Sequence, residues 1–255
     1  MAPLPLPDQQ PFTPRLSGAG SLRRELEALL AVAPPGADRG TFRRLTLGAN
    51  AAGKGSASMR TWAWKRLSVR YLLDPALPEF RTFEAAMRST ESPTERGLIC
   101  FLMLSRTDRL FREVTLQLVS PKIPTPGALV DPADVEGAIR EIRRRGRFRW
   151  SDETVAGERS HLLSALKDFG VLCGAREKRT CCPAPGVATA VFAAHLARLE
   201  GLPDRQVLDS RWFRLLGLTE AAVVDLLYAA ARERALGFRM QADVVELSLP
   251  EVASA

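Results

Sequence analysis

The chain has 255 residues, of which 46% are hydrophobic and 25% are charged, as is ordinary for a globular protein. This composition excludes wholesale disorder, a collagen-like repeat and a coiled-coil rod. The longest apolar run, Leu98 to Leu104, has seven residues, whereas a membrane-spanning helix needs about 20. The N-terminus lacks the pattern of a secretory signal, and four cysteines are too few for a disulfide scaffold. We therefore expect a cytoplasmic protein.

The positive charge is concentrated in one half of the chain. The formal net charge is +7, but residues 1–149 carry 24 Lys and Arg against 15 Asp and Glu, while residues 150–255 carry 12 against 14. A GC-rich coding bias explains why arginine outnumbers lysine, but it does not explain this uneven distribution. The asymmetry indicates a polyanionic partner.

The first half of the chain predicts a proline-rich arm followed by helices. Residues 1–18 hold five prolines and predict a flexible arm. A basic helical domain follows over residues 19–120. It begins with a helix capped by Ser21 and a short helix capped by Asp38. A longer helix is expected over about residues 58–73, and two or three more over residues 76–120.

The second half predicts a different arrangement. Residues 121–132 contain four prolines and are expected to form a linker to a domain over residues 133–255. That domain begins with a helix to Gly146 and a longer one over about residues 151–169, followed by a hairpin over 171–182. Helices over 187–199 and 220–235 and a strand over 238–249 complete it. The predicted fold class is mainly α, with two helical subdomains, the second carrying a winged-helix-like helix–β-hairpin element and a C-terminal strand.

One segment is similar to a phosphate-binding loop. Gly48, Gly53 and Lys54 fit the pattern G-x-x-x-x-G-K-[ST], but Gly55 occupies the position of the hydroxyl that binds magnesium. The preceding residues 42–47 are polar and more helical than strand-like. The pattern therefore favours a glycine-rich turn between helices, lying against a nucleic-acid phosphate.

The strongest signal is a basic stretch without acids. Residues 39–73 contain eight cations and no Asp or Glu, with Trp62, Trp64 and Tyr71 among them. Phosphate groups of a nucleic acid are the simplest partner, although ion pairs with distant acids remain an alternative. Arg66 and Arg70 lie one turn apart beside a buried stripe and are expected to be exposed. The predicted binding residues here are Arg43, Arg44, Lys54, Ser56, Arg60, Lys65, Arg66 and Arg70.

Two further groups of cations belong to the second half of the fold. Six arginines between Arg140 and Arg149 sit at a helix C-terminus, where the helix dipole favours cations in any case. Arg143 and Arg144 are the predicted DNA contacts among them. Arg176, Lys178 and Arg179 at the hairpin tip are predicted to touch the DNA backbone as a wing.

The histidines and cysteines of the sequence do not form a pattern typical of a catalytic or metal-binding site. Neither His161 nor His195 has a partner at a spacing that specifies a catalytic triad. Cys181 and Cys182 are adjacent and lack the C-x-x-C spacing of a zinc site. The sequence therefore predicts no enzyme activity, no metal and no cofactor.

Three segments together resemble the BrxA family, the small helical A component of the BREX phage-defence system. They are residues 50–74, 105–114 and 158–183, and residues 12–19 are similar to the family's start. The order and spacing of the segments carry the resemblance. It implies a small, non-catalytic, helical protein that binds double-stranded DNA and works beside the system's methyltransferase. The best-matching residues lie within the same acid-free basic stretch: Asn50, Lys54, Ser56, Arg60, Lys65, Arg66 and Arg70.

Four functions are therefore compared. The first is a DNA-binding subunit of a phage-defence system. The second is a helical RNA-binding or antitermination-like factor, because basic helical bundles also suit RNA. The third is a nucleotide hydrolase that uses Lys54, and the fourth is an assembly scaffold whose arginines meet acidic partner proteins.

Overall fold

The computed structural model describes residues 5–16 and 18–251, and helices account for most of them, which confirms the mainly α class. Residues 1–4 and Ser17 of the predicted arm, and residues 252–255, lie outside the described residues. The helices are α1 Arg23–Val32, α2 Arg39–Leu47, α3 Ala57–Arg70, α4 Pro78–Arg88, α5 Pro93–Thr107, α6 Arg109–Val114, α7 Pro132–Arg145, α8 Asp152–Asp168, α9 Val187–Leu199, α10 Asp204–Val207, α11 Arg211–Leu215 and α12 Glu220–Arg232. The strands are β1 Leu129–Val130, β2 Leu172–Cys173, β3 Lys178–Thr180, β4 Gly237–Gln241 and β5 Val244–Ser248.

Short polar side chains start several of the helices. Asp38 accepts a hydrogen bond from the Thr41 amide at 2.5 Å, which confirms it as the N-cap of α2. The prediction for α1 was one residue off. Its N-cap is Leu22, in the left-handed region at φ 57°. Ser21 Oγ still accepts from the Arg23 amide at 3.2 Å, and it donates to Asp168 at 2.7 Å, so it also ties the start of α1 to the end of α8.

A continuous hydrophobic core joins both halves of the chain. α9 packs against α4 and α5 from the first half and against α11 and α12 from the second. Phe83 of α4 lies 5.9 Å from Phe192 of α9 between ring centroids, and both rings are fully buried. α9 is rich in alanine, and small side chains allow helices to approach it from several sides.

Residues 109–180, here called the winged-helix module, form a compact unit beside this core. The element order is α6, β1, α7, α8, β2 and β3, and the three strands form an antiparallel sheet in the order β1-β3-β2. β1 lies within the segment that was predicted to be a linker. Leu129 pairs with Arg179, and Val130 pairs with Lys178. The proline-rich segment therefore completes the sheet of the wing, defined here as residues 172–180.

A second hairpin closes the chain. β4 and β5 pair antiparallel, with Phe238 opposite Leu247. The sequence predicted one strand over residues 238–249, and the structure divides it by a turn at Ala242 and Asp243, with Ala242 at φ 49°. The turn was missed because it lacks the Asn-Gly or Asp-Gly pair that usually marks a two-residue hairpin.

The described part of the arm lies against the helices instead of extending from them. Arg112 is fully buried and donates to the Pro7 carbonyl at 2.7 Å. Gln10 donates to the Arg106 carbonyl at 2.8 Å, and Arg211 binds both carboxylate oxygens of Asp8 at 2.6 and 2.7 Å. The described part of the arm forms only one short 3-10 helix, Pro7–Gln9, and its carbonyls accept hydrogen bonds from arginine.

Two neighbouring glutamines test whether the arm is held. Gln10 is buried, whereas Gln9 is exposed and its side chain makes no described hydrogen bond. Gln10→Ala should lower the free energy of unfolding by about 1–3 kcal/mol, because it leaves buried polar groups without partners. Gln9→Ala should leave it unchanged. Urea unfolding measures both, and equal small effects would show that the arm contributes nothing to stability.

Candidate nucleic-acid interface

α8 occupies the position of the third helix of a winged helix, the element that enters the major groove in helix-turn-helix proteins. Its N-terminus is fixed by Ser151, which accepts a hydrogen bond from the Thr154 amide at 3.1 Å. Its buried face includes Val155, Leu162 and Leu166. The exposed side chains of α8 carry three acids against one cation and comprise Asp152, Glu153, Ser160, Ser164, Lys167 and Asp168. Any attraction to DNA must therefore come from the elements on either side of α8.

The C-terminal end of α7 provides one positive flank, although its arginines are not all free. Arg143 binds Asp152 at 2.8 Å and the Trp150 carbonyl at 3.0 Å, so its first role is to hold the α7–α8 loop. Arg144 and Arg145 both bind Glu141, and their hydrogen bonds lower the pKa of Glu141 to about 2. Their side chains remain 75% and 76% exposed, so both can still face a phosphate.

The loop after α7 adds two cations that make no described ion pair. Arg147 and Arg149 are exposed, and neither side chain has a hydrogen-bond partner among residues 5–16 and 18–251. Both belong to the arginine cluster that the sequence indicates, but they were not among the predicted contacts. Both lie beyond the last turn of α7, and they form no ion pair with the acids of α7 and α8. This position along the sequence distinguishes them from the paired Arg143, Arg144 and Arg145.

The wing presents one free cation at its tip. Arg176 is exposed and makes no described contact. Lys178 donates to the carbonyls of Gly174 and Ala175, and Arg179 binds Glu177 at 2.7 Å. Of the three predicted wing residues, Arg176 is therefore the one available without breaking an existing interaction.

α3 and the arm provide the second flank of α8. The Arg66 guanidinium lies 4.5 Å from the centroid of the Trp62 ring and is half-buried. A Cβ atom at Gly18 would lie 3.3 Å from Arg66 Nη2, so the glycine allows the arm to pass. Burial lowers the pKa of His161 on α8, and the positive charges of Arg70 and Arg66 lower it further. The tertiary structure thus brings the basic stretch of the first half to the winged-helix module.

The prediction that Arg70 is exposed was wrong. Its side chain is 3% exposed and donates to the carbonyls of Arg15, Ala19 and Gly20. A guanidinium is the only side chain with enough donors in a fixed fork to bind three carbonyls of one loop. Arg70 is therefore a structural residue that holds the arm, and it does not face a nucleic acid.

Lys54 and Ser56 are also engaged within the chain. Lys54 binds Glu25 of α1 at 2.5 Å, and its amide donates to Asn50 Oδ1 at 2.7 Å. Ser56 is the N-cap of α3 and accepts from the Met59 amide at 3.2 Å. The glycine-rich segment follows α2, a helix, where a phosphate-binding loop follows a strand. It is a turn between α2 and α3, as the residues 42–47 indicated.

Four predicted residues on α2 and α3 remain at the surface. Arg43, Arg44 and Lys65 are exposed, and Arg60 is half-buried with a buried Nε that has no described partner. Arg44 donates to its neighbour Thr41 at 2.7 Å. α2 and α3 pack directly on each other. These residues therefore form a basic surface on one helix pair.

The described residues contain no group of three or more His, Cys, Asp or Glu side chains placed to bind a metal ion. Within the same residues, every helix is too short or too polar to cross a bilayer. No protein-family model matches the chain, and no curated protein is similar to it.

Arg70 and Lys65 form a matched pair of variants on α3. Arg70→Met should lower the free energy of unfolding by about 3 kcal/mol or more, because three carbonyls lose a buried charged donor. Lys65→Met removes the same charge from an exposed position and should leave stability nearly unchanged. Chemical denaturation followed by circular dichroism measures both. A stable Arg70→Met protein would contradict the role of Arg70 as the holder of the arm.

His161 reports on the contact between α3 and α8. We expect its pKa to lie below the ordinary value near 6.5, and Arg66→Gln should raise it. Because the unfolded chain takes up the proton first, stability should fall as pH drops below about 6.5, and His161→Gln should reduce that loss. NMR titration of the histidine rings measures the pKa directly. A pKa that is unchanged in Arg66→Gln would place Arg66 away from α8.

Proposed function

We propose that this protein is a non-catalytic double-stranded DNA-binding protein that contacts mainly the phosphate backbone. The observation that carries the proposal is a complete winged-helix arrangement with exposed cations on one side of its third helix and the half-buried Arg66 on the other. The cations at the end of α7 lie on one flank, and Arg66 on α3 lies on the other. Phosphate contacts of this kind position a protein on a duplex without reading its sequence.

The exposed face of α8 supports backbone contact over base reading. Arginine, asparagine and glutamine make bidentate contacts to base edges, and none of them is exposed on α8, whose one exposed lysine, Lys167, lies near its C-terminal end. Asp152 and Glu153 lie at the N-terminal end of the helix, the end that approaches the bases in helix-turn-helix complexes. Phosphates would be repelled there and attracted to the flanks.

We further propose that the protein is a cytoplasmic component of a BREX-type phage-defence system and works with its methyltransferase. The support is the resemblance of three segments to the BrxA family. In this structure the first two segments contact each other, and the third contacts residues 12–19. Thr107, in the second segment, donates to the Arg70 carbonyl of the first at 2.9 Å, and Glu158 of the third accepts from the Leu16 amide at 3.3 Å. Co-purification with the methyltransferase, before and after nuclease treatment, separates a direct contact from one through DNA.

A salt series with duplex DNA tests the main proposal. If five or six cations each neutralise a phosphate, log K should fall against log salt with a slope of about −5 for any duplex sequence. Arg144→Gln/Arg145→Gln should weaken binding to every duplex and reduce that slope by about two. Fluorescence anisotropy of two unrelated labelled duplexes provides the measurement.

The matched control is Arg232→Gln/Arg234→Gln, at the C-terminal end of α12, a helix that packs on α9 and β4. This double substitution also removes two exposed positive charges. This control should leave the affinity almost unchanged. Equal losses in both double variants would indicate unspecific attraction by net charge. Tight binding to an RNA duplex but not to DNA would favour the RNA-binding alternative, and no binding at moderate salt would favour an assembly scaffold.

A further inference from the structure

We propose that the α7–α8 loop, residues 146–150, is a binding site for unpaired nucleobases of a single-stranded nucleic acid. This site goes beyond duplex binding, because its chemistry addresses the faces of bases, which a duplex keeps stacked. It rests on two half-exposed aromatic rings and two free arginines that alternate along the loop.

The aromatic side chains of the loop form a platform at the surface. The rings of Phe148 and Trp150 are nearly parallel, with an interplanar angle of 7° and a centroid distance of 4.9 Å. Phe12 of the arm lies 6.2 Å from Phe148, and Arg109 lies 4.2 Å from the Phe12 centroid. Phe12, Phe148 and Trp150 are each only half-buried. Phe12 and Trp150 also pack against the core, whereas Phe148 is not among the side chains that do, so core packing does not explain the Phe148 ring.

The backbone holds this platform in place. A Cβ atom at Gly146 would lie 2.1 Å from the Phe148 ring, so the ring sits directly over the glycine. Arg147 adopts a left-handed backbone at φ 51°, and the Phe148 amide donates to the Arg143 carbonyl at 3.0 Å. Arg143 in turn donates to the Trp150 carbonyl at 3.0 Å. The rings are therefore pre-positioned, which reduces the entropy that a ligand must remove on binding.

The charges around the platform fit a nucleic-acid strand. Arg147 and Arg149 alternate with the two rings in sequence, are exposed and make no described ion pair. The acids closest in the fold, Glu141 and Asp152, are already bound by arginines. Single-stranded nucleic acids are bound by this combination, in which bases stack on aromatic rings while cations follow the phosphates. In a duplex each base face is covered by the next pair, so no base is free to stack on the rings.

The test compares single strands with a duplex. Labelled 12-nucleotide oligo-dT, oligo-U and a mixed-sequence duplex are titrated with wild-type protein and with Phe148→Leu, and anisotropy is measured. Phe148→Leu should weaken binding to the single strand about tenfold, as expected for the loss of one stacked base, and leave duplex binding unchanged. The matched control Arg144→Gln/Arg145→Gln should weaken single strand and duplex alike. The two oligomers show whether DNA or RNA is the ligand.

A second measurement keeps the test independent of the stability of Phe148→Leu. Oligo-dT or oligo-U should quench the tryptophan emission of the wild-type protein, and Trp150→Phe should remove most of that quenching while an aromatic ring is kept. Single-strand binding that is unchanged in Phe148→Leu, quenching that persists in Trp150→Phe, or failure of both oligomers to bind would each overturn this inference. Loss of duplex binding alone would overturn the proposed function and leave this site standing.

Discussion

The buried guanidinium of Arg70 holds the N-terminal segment of this protein against α3. It lies at the C-terminal end of α3 and binds the carbonyls of Arg15, Ala19 and Gly20, so the arm is fixed between α3 and the winged-helix module. The next contacts follow from that placement. Leu16 is fully buried, its amide donates to Glu158 of α8, and Ser21 donates to Asp168 at the other end of the same helix. The arm therefore contacts both α3 and α8.

The protein uses arginine in three physically different ways. Arg70, Arg106 and Arg112 are buried and bind backbone carbonyls, and Arg106 also forms a buried ion pair with Glu79 at 2.8 Å. Another group, which includes Arg140 and Arg143, is tied to acids of neighbouring helices. A third group is exposed and unpaired among the described residues, and it includes Arg43, Arg147, Arg149 and Arg176. A polyanion can contact this last group without breaking an ion pair. It can also contact the exposed members of the ion pairs, because surface ion pairs are weak.

The distribution of these cations gives the winged-helix module an unusual character. Its third helix exposes more acids than cations, and it exposes no arginine, asparagine or glutamine. Positive charge lies instead at the ends and edges of the module: the α7–α8 loop, the tip of the wing and the adjoining α3. Such an arrangement favours binding to the phosphate backbone and to single strands over recognition of a particular base sequence. The aromatic pair of Phe148 and Trp150 lies within one of these basic regions.

Local patterns in the sequence were enough to predict most of the secondary structure. The apolar periodicity of the helices and the cap at Asp38 depend on neighbours within a few residues, and the sequence contains those neighbours. The hairpin at the wing was predicted for the same reason. β1 was missed, because a two-residue strand within a proline-rich segment exists only through its pairing with β3.

The candidate site could be predicted only in part. The sequence by itself determined that residues 39–73 are basic and that arginines cluster at the end of α7, since charge is a property of composition. Only the tertiary structure decided which of those charges face solvent. Arg66 and Arg70 are one turn apart on the same helix, yet one is half-exposed on Trp62 and the other is buried among carbonyls. That difference depends on the path of the arm 50 residues earlier in the chain, and the spacing of residues along one helix does not record which distant segment packs against it.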